Sequence, residues 1–89
     1  MRLTYLEATY RKGKPLAAYL HLPHEDGERS VRTERDTSCL IVDFGADDRA
    51  IGIEIPEPSR LVRADLNRLL ERLGEEPVSE ADLAPLTAA

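Results

Sequence analysis

The most regular alternation of apolar and polar positions runs from Ser38 to Ile55: Leu40-Ile41-Val42-Asp43-Phe44, a turn over Gly45 to Asp48, then Arg49-Ala50-Ile51-Gly52-Ile53-Glu54-Ile55. Two apolar runs flanking an Asp/Gly-bearing turn predict a β-hairpin. Pairing Phe44 with Arg49 sets Asp43 opposite Ala50, Val42 opposite Ile51, Ile41 opposite Gly52, Leu40 opposite Ile53 and Cys39 opposite Glu54. Because side chains alternate along a strand, Leu40, Val42, Phe44, Ile51, Ile53 and Ile55 then share one apolar face. A slip of one residue would scatter that face. The opposite side carries Cys39, Ile41, Asp43, Ala50, Gly52 and Glu54. It is too small and mixed for an ordinary solvent face, which makes Ile41, Asp43, Gly52 and Glu54 the candidate interface.

Upstream, Leu3 to Tyr10 and Leu16 to Leu22 read as a first hairpin, with Lys12-Gly13 at the turn and Pro15 at the start of its second strand. Leu16, Ala18, Leu20 and Leu22 alternate there with Ala17, Tyr19 and His21. The first strand is less regular, and a bulge near Leu6 would reconcile its two halves. Pro23 to Glu28 reads as a loop. Ser30 to Arg35 reads as an edge strand defended by charge. Pro56 and Pro58 end the sheet, since neither can donate to a ladder. From there the period changes. Leu66, Leu69, Leu70 and Leu73 fall on one face of a helix over Ala64 to Leu73, with Gly74 placed to stop it. Ser79-Glu80-Ala81-Asp82 has capping-box spacing and opens a short last helix carrying Leu83 and Leu86, limited by Pro85. The expected architecture is one α+β domain over residues 1–89. Residues 1–58 form an antiparallel meander of about five strands, and residues 59–89 form a helical C-terminal extension packed on one face.

At 89 residues the chain buries only about 60 to 65% of its unfolded surface, and dimerisation would help it. Three Tyr, one Phe and no Trp leave an aliphatic core. Charge is uneven: residues 1–37 hold seven Lys/Arg and six Asp/Glu, residues 38–89 five and eleven, so +1 and -6 make up the net -5. The acidic half argues against nucleic acid as its ligand and for a basic protein partner. A lone cysteine and no apolar run near the roughly 20 residues of a membrane helix point to a cytoplasmic protein without membrane contact.

The strand Leu40 to Phe44, the acidic turn and the strand Arg49 to Ile55 with its Gly52-Ile53-Glu54-Ile55 resemble the signature of the uncharacterised bacterial family known as domain of unknown function 2283. Met1 to Tyr5 and Ala18 to Leu22 are similar to its first two strands, and Asp65 to Leu70 with Ser79 to Leu86 to a C-terminal extension of some members. Two departures are a longer first hairpin around Gly13 and Asp48 where the family's central turn closes on Gly; Asp tolerates the left-handed conformation that position needs. The resemblance implies a fold and no established activity. Through members thought to neighbour ribonuclease-like toxins, it also implies an antitoxin role.

Among candidate chemistry, Asp43 and Glu54 stand about 13 Å apart in the expected register, too far to share a proton, water or metal. His21 and His24 beside Glu25 and Asp26 have weak zinc spacing. Cys39, expected beside Glu54, lacks the electropositive niche of a nucleophile. Arg29, Arg32 and Arg35 with Arg11, Lys12 and Lys14 could form a basic patch, though without interleaved aromatics. We therefore expect no catalytic, cofactor-binding or metal residues. The expectation is a homodimer or partner interface on the second face, to which Leu6, Ala8 or Tyr19 would add apolar surface. The competing class is a small-molecule or metal site, or an enzyme, built from Asp43, Glu54 and His21 of two subunits.

Overall fold

The computed structural model describes residues 4–37 and 39–87; the Leu3 end of the expected first strand and Ser38 lie outside them. The elements are β1 (Tyr5–Arg11), β2 (Lys14–His21), β3 (Arg32–Thr37), β4 (Leu40–Phe44), β5 (Ala50–Ile55), a 3-10 turn at Pro58–Arg60, α1 (Arg63–Arg72) and α2 (Ala84–Thr87). All strand pairs are antiparallel, giving the expected α+β fold.

The strand order is β1-β2-β5-β4-β3, so the sheet is not a sequential meander. After the first hairpin the chain crosses to the far edge, lays down β3, and returns through β4 to place β5 beside β2. The physical reason is visible in the strands. β5, with Ile51, Ile53 and Ile55, is the most apolar and takes the centre, whereas β3, Arg-Thr-Glu-Arg-Asp-Thr, is exposed almost throughout and takes an edge that its charges protect from pairing. This order also divides the expected basic patch: Arg11 and Lys14 lie on the edge hairpin β1-β2, and Arg32 and Arg35 on the opposite edge.

Local turn chemistry matches the sequence. Lys12 and Gly13 both have positive φ, 53° and 78°, as a tight hairpin turn requires. Asp48 adopts φ 66° at the close of the central turn. The irregularity in β1 sits at Thr9/Tyr10 rather than near Leu6. Helix α1 ends on Gly74 with both bonds of a Schellman motif, Glu75 N donating to Leu70 O and Gly74 N to Glu71 O. Ser79 and Asp82 cap each other's backbone N–H at 2.8 and 3.1 Å.

The core lies between one sheet face and the helical segment. Ala18, Leu20, Leu40, Val42, Ala50, Ile53 and Ile55 meet Leu66, Leu69, Leu70, Val78, Leu83 and Leu86. The Asn67 side chain clips the segment in place, its amide donating to Val78 O while its oxygen accepts from Val78 N. Leu6 and Ala8 pack against this core too, not on the second face. Cys39 likewise lies partly buried against the core, outside the ladder position expected beside Glu54. Leu16, left without a ladder partner at the shift between Thr9 and Tyr10, is exposed.

Candidate functional site

The central hairpin pairs two residues out of the expected register. Val42 faces Ile53, Asp43 faces Gly52 and Ile41 faces Glu54, and the ladder then slips so that Phe44 faces Ala50. A shift of two keeps the faces of Val42 and Ile53, which is why alternation alone could not detect it. The slip leaves Ile51 as a bulge residue. Ala50 joins the core cluster, while Ile51 is buried outside it, the reverse of their expected assignment.

The shift changes what the second face can do. Asp43 and Glu54 become diagonal cross-strand neighbours instead of distant groups. By register the same face receives Tyr5 and Glu7 from β1, Tyr19 and His21 from β2, Gly52 from β5, Ile41 from β4, and Thr33 and Arg35 from β3. All four candidate interface residues therefore share it. Among the described residues, the helices pack on the other face.

Its centre is built by a glycine. Tyr19 stands on β2 and Asp43 on β4, with β5 between them. The phenol crosses β5 by lying on Gly52: a Cβ at that position would stand 2.1 Å from Tyr19 Oη. Only the missing side chain permits this path. Tyr19 Oη then donates to Asp43 Oδ2 at 2.8 Å. Beneath the phenol Asp43 is 7% exposed, and its other oxygen, Oδ1, is buried without a hydrogen-bond partner. Burial first, then the Asp43 hydrogen bond and the charges of Asp43 and Glu54, push the Tyr19 phenol far above its ordinary pKa and keep it a donor. The hydrogen bond to Asp43, burial and the Asp43 charge raise the pKa of the Glu54 carboxyl.

Beside this centre runs a ring stack. His21 stacks on Tyr5 at 4.3 Å between centroids, meets Tyr19 edge-on at 4.7 Å, and lies 6.1 Å from the His24 ring. His21 Nε2 bonds Glu7 Oε1 at 2.5 Å and His24 Nδ1 faces Leu22 O at 2.6 Å. The structure thus joins Asp43 and Glu54 but turns Nε2 of His21 toward Glu7. An open recess of about 390 Å³ is lined in part by Glu7, Thr9, Ala17, Tyr19 and Glu54. A recess of about 430 Å³ lies on the outer side of α1, where Asn67 is already committed to Val78. Among the described residues no group of three or more His, Cys, Asp or Glu is placed to hold a metal, and no helix is long and apolar enough to cross a membrane.

Sequence reading missed Tyr19 as the donor to Asp43, Glu7 as the partner of His21, and the reason for Gly52. Each depends on β2 lying beside β5, which no local signal carries. Comparison with protein-family models, curated proteins and solved structures finds no match for the chain.

Proposed function

We propose that this chain is a non-enzymatic interaction module whose open sheet face receives a basic protein partner. The observation that carries the reading is Asp43, a buried carboxylate with one unpartnered oxygen at the centre of the face that no helix covers among the described residues. With Glu54 diagonal to it across the ladder, Glu7 on the same face at β1 and Arg35 as the cation that the ladder places there, the face is acidic and complementary to a cationic surface. A ribonuclease-like toxin has the required sign, in keeping with the antitoxin role and the domain of unknown function 2283 that the sequence resembles. The test is co-purification from the native host with the wild-type chain and with Glu54→Lys. The reading expects one basic protein in stoichiometric yield with the wild type and its loss with the variant. Recovery of the same protein by both chains, or of no protein by the wild type, would set it aside.

A further inference from the structure

We propose that Asp26 is a site of backbone isomerisation, at which the Gly27 amide nitrogen attacks the Asp26 side chain and reroutes the main chain through it, unlatching the loop between β2 and β3.

The reaction needs an aspartate carboxyl that can meet the amide nitrogen of the next residue without obstruction. Of the seven aspartates in the chain, Asp26 alone precedes a glycine, and both residues are exposed. A Cβ at Gly27 would meet nothing within 4 Å, so no neighbour blocks ring closure. The two residues form the middle of a turn in which Glu28 N donates to Glu25 O at 3.1 Å and Gly27 takes φ 82°. A second bond, from Glu25 N to Glu28 Oε1 at 2.8 Å, braces it. Both bonds use the amides of Glu25 and Glu28. Among the described residues, the Gly27 nitrogen and the Asp26 carboxyl are committed to nothing. The alternatives are worse placed. Asp43 is buried, Asp47 accepts from Arg49 N, Asp82 accepts from Ser79 N, and both polar atoms of the Asn67 amide are held by Val78.

Attack of Gly27 N on Asp26 Cγ closes a five-membered cyclic imide, and one carboxyl oxygen leaves as water with the amide hydrogen and a proton from solvent. Water then adds back. Breaking the bond from Gly27 N to Cγ restores the original chain. Breaking the bond from Gly27 N to the Asp26 backbone carbonyl carbon leaves the main chain running through Cβ and Cγ, with a carboxylate on Cα. The water and proton balance, so the product has the mass of the starting chain.

The rerouted path carries one more backbone carbon inside the turn that holds Glu28. That side chain latches the loop onto the central turn: Oε1 meets Arg49 Nη2 at 3.4 Å, and Oε2 lies 2.7 Å from where a Cβ on Gly45 would stand. The longer turn loses the spacing that closes Glu28 N onto Glu25 O, and the latch opens with it.

Incubation of the full chain at 37 °C in water enriched in heavy oxygen, followed by digestion and mass spectrometry, tests the chemistry. The peptide spanning Asp26 should split into two chromatographic forms, the new one carrying one heavy oxygen. It should form at least about tenfold faster than any such product at Asp47 or Asp48, neither of which precedes glycine. Asp26→Glu, which would have to close a six-membered ring, should lose the product while keeping the wild-type circular dichroism. No second form in the wild type, equal rates at Asp48, or an undiminished product in Asp26→Glu overturns the site. In the purified isomerised chain, hydrogen exchange at the Glu25 and Glu28 amides should be faster by roughly tenfold or more. Unchanged exchange there overturns the unlatching.

Discussion

The two faces of this sheet solve opposite problems with the same strands. The covered face gathers Val42, Ile53, Ile55 and Leu20 under α1 and the C-terminal segment, and needs only aliphatic bulk and alternation. The open face hides one carboxylate beneath a tyrosine laid across a glycine. The first is a packing problem that many side-chain combinations satisfy. The second depends on the placement of individual atoms, so a few substitutions should separate the two.

The largest expected effect belongs to the covered face. Ile53→Ala, at a site with no solvent exposure, should lower stability by about 2 to 5 kcal/mol in denaturant titration, whereas Ile41→Ala on the open face should cost well under half as much. A similar loss at both positions would erase the distinction between the faces. Next is Gly52→Val, whose Cβ falls on Tyr19 Oη. About 1 to 3 kcal/mol should be lost through displacement of the phenol. In a Tyr19→Ala background the same substitution should cost much less, and a double-mutant cycle reads the difference directly. Additive effects would mean that Tyr19 does not occupy that space.

A smaller effect, about 1 to 2 kcal/mol, is expected for Tyr19→Phe, which removes the donor to Asp43 Oδ2 and keeps the ring. Smallest is Glu54→Gln, and its sign depends on pH. Because the folded-state pKa of Glu54 is raised, the native chain holds this proton more tightly than the unfolded chain. That contribution to stability is full below the unfolded-state pKa and is lost as pH rises through the folded-state value. Glu54→Gln should therefore gain on the wild type as pH rises across this window, by less than about 1 kcal/mol for so accessible a group. Chemical denaturation of dilute protein at several pH values checks the trend.

What the sequence disclosed was local. The Lys12-Gly13 turn, the left-handed Asp48, the Gly74 helix stop and the Ser79–Asp82 box each follow from a few adjacent residues, and each is present. The leucine row of α1 found its face because period 3.6 admits one buried stripe. Of the six residues expected on the open face, Cys39 and Ala50 pack against the core instead. Its four candidate residues share a side, yet the two-residue shift brought Asp43 and Glu54 together where the expected register held them apart. Alternation repeats every two residues and cannot see a displacement of two. Nor could it show that β5 returns beside β2, the long-range pairing that puts Tyr19 over Gly52.

The account turns on whether Glu54 and Asp43 meet. Carbon-13 NMR titration of the Glu54 side-chain carboxyl, in the wild type and in Asp43→Asn, measures this directly. The account predicts a wild-type midpoint above the ordinary glutamate value of about 4.3 and a fall toward or below that value in the variant, where an amide donor replaces the acceptor. An ordinary midpoint in the wild type, unmoved by Asp43→Asn, would contradict it.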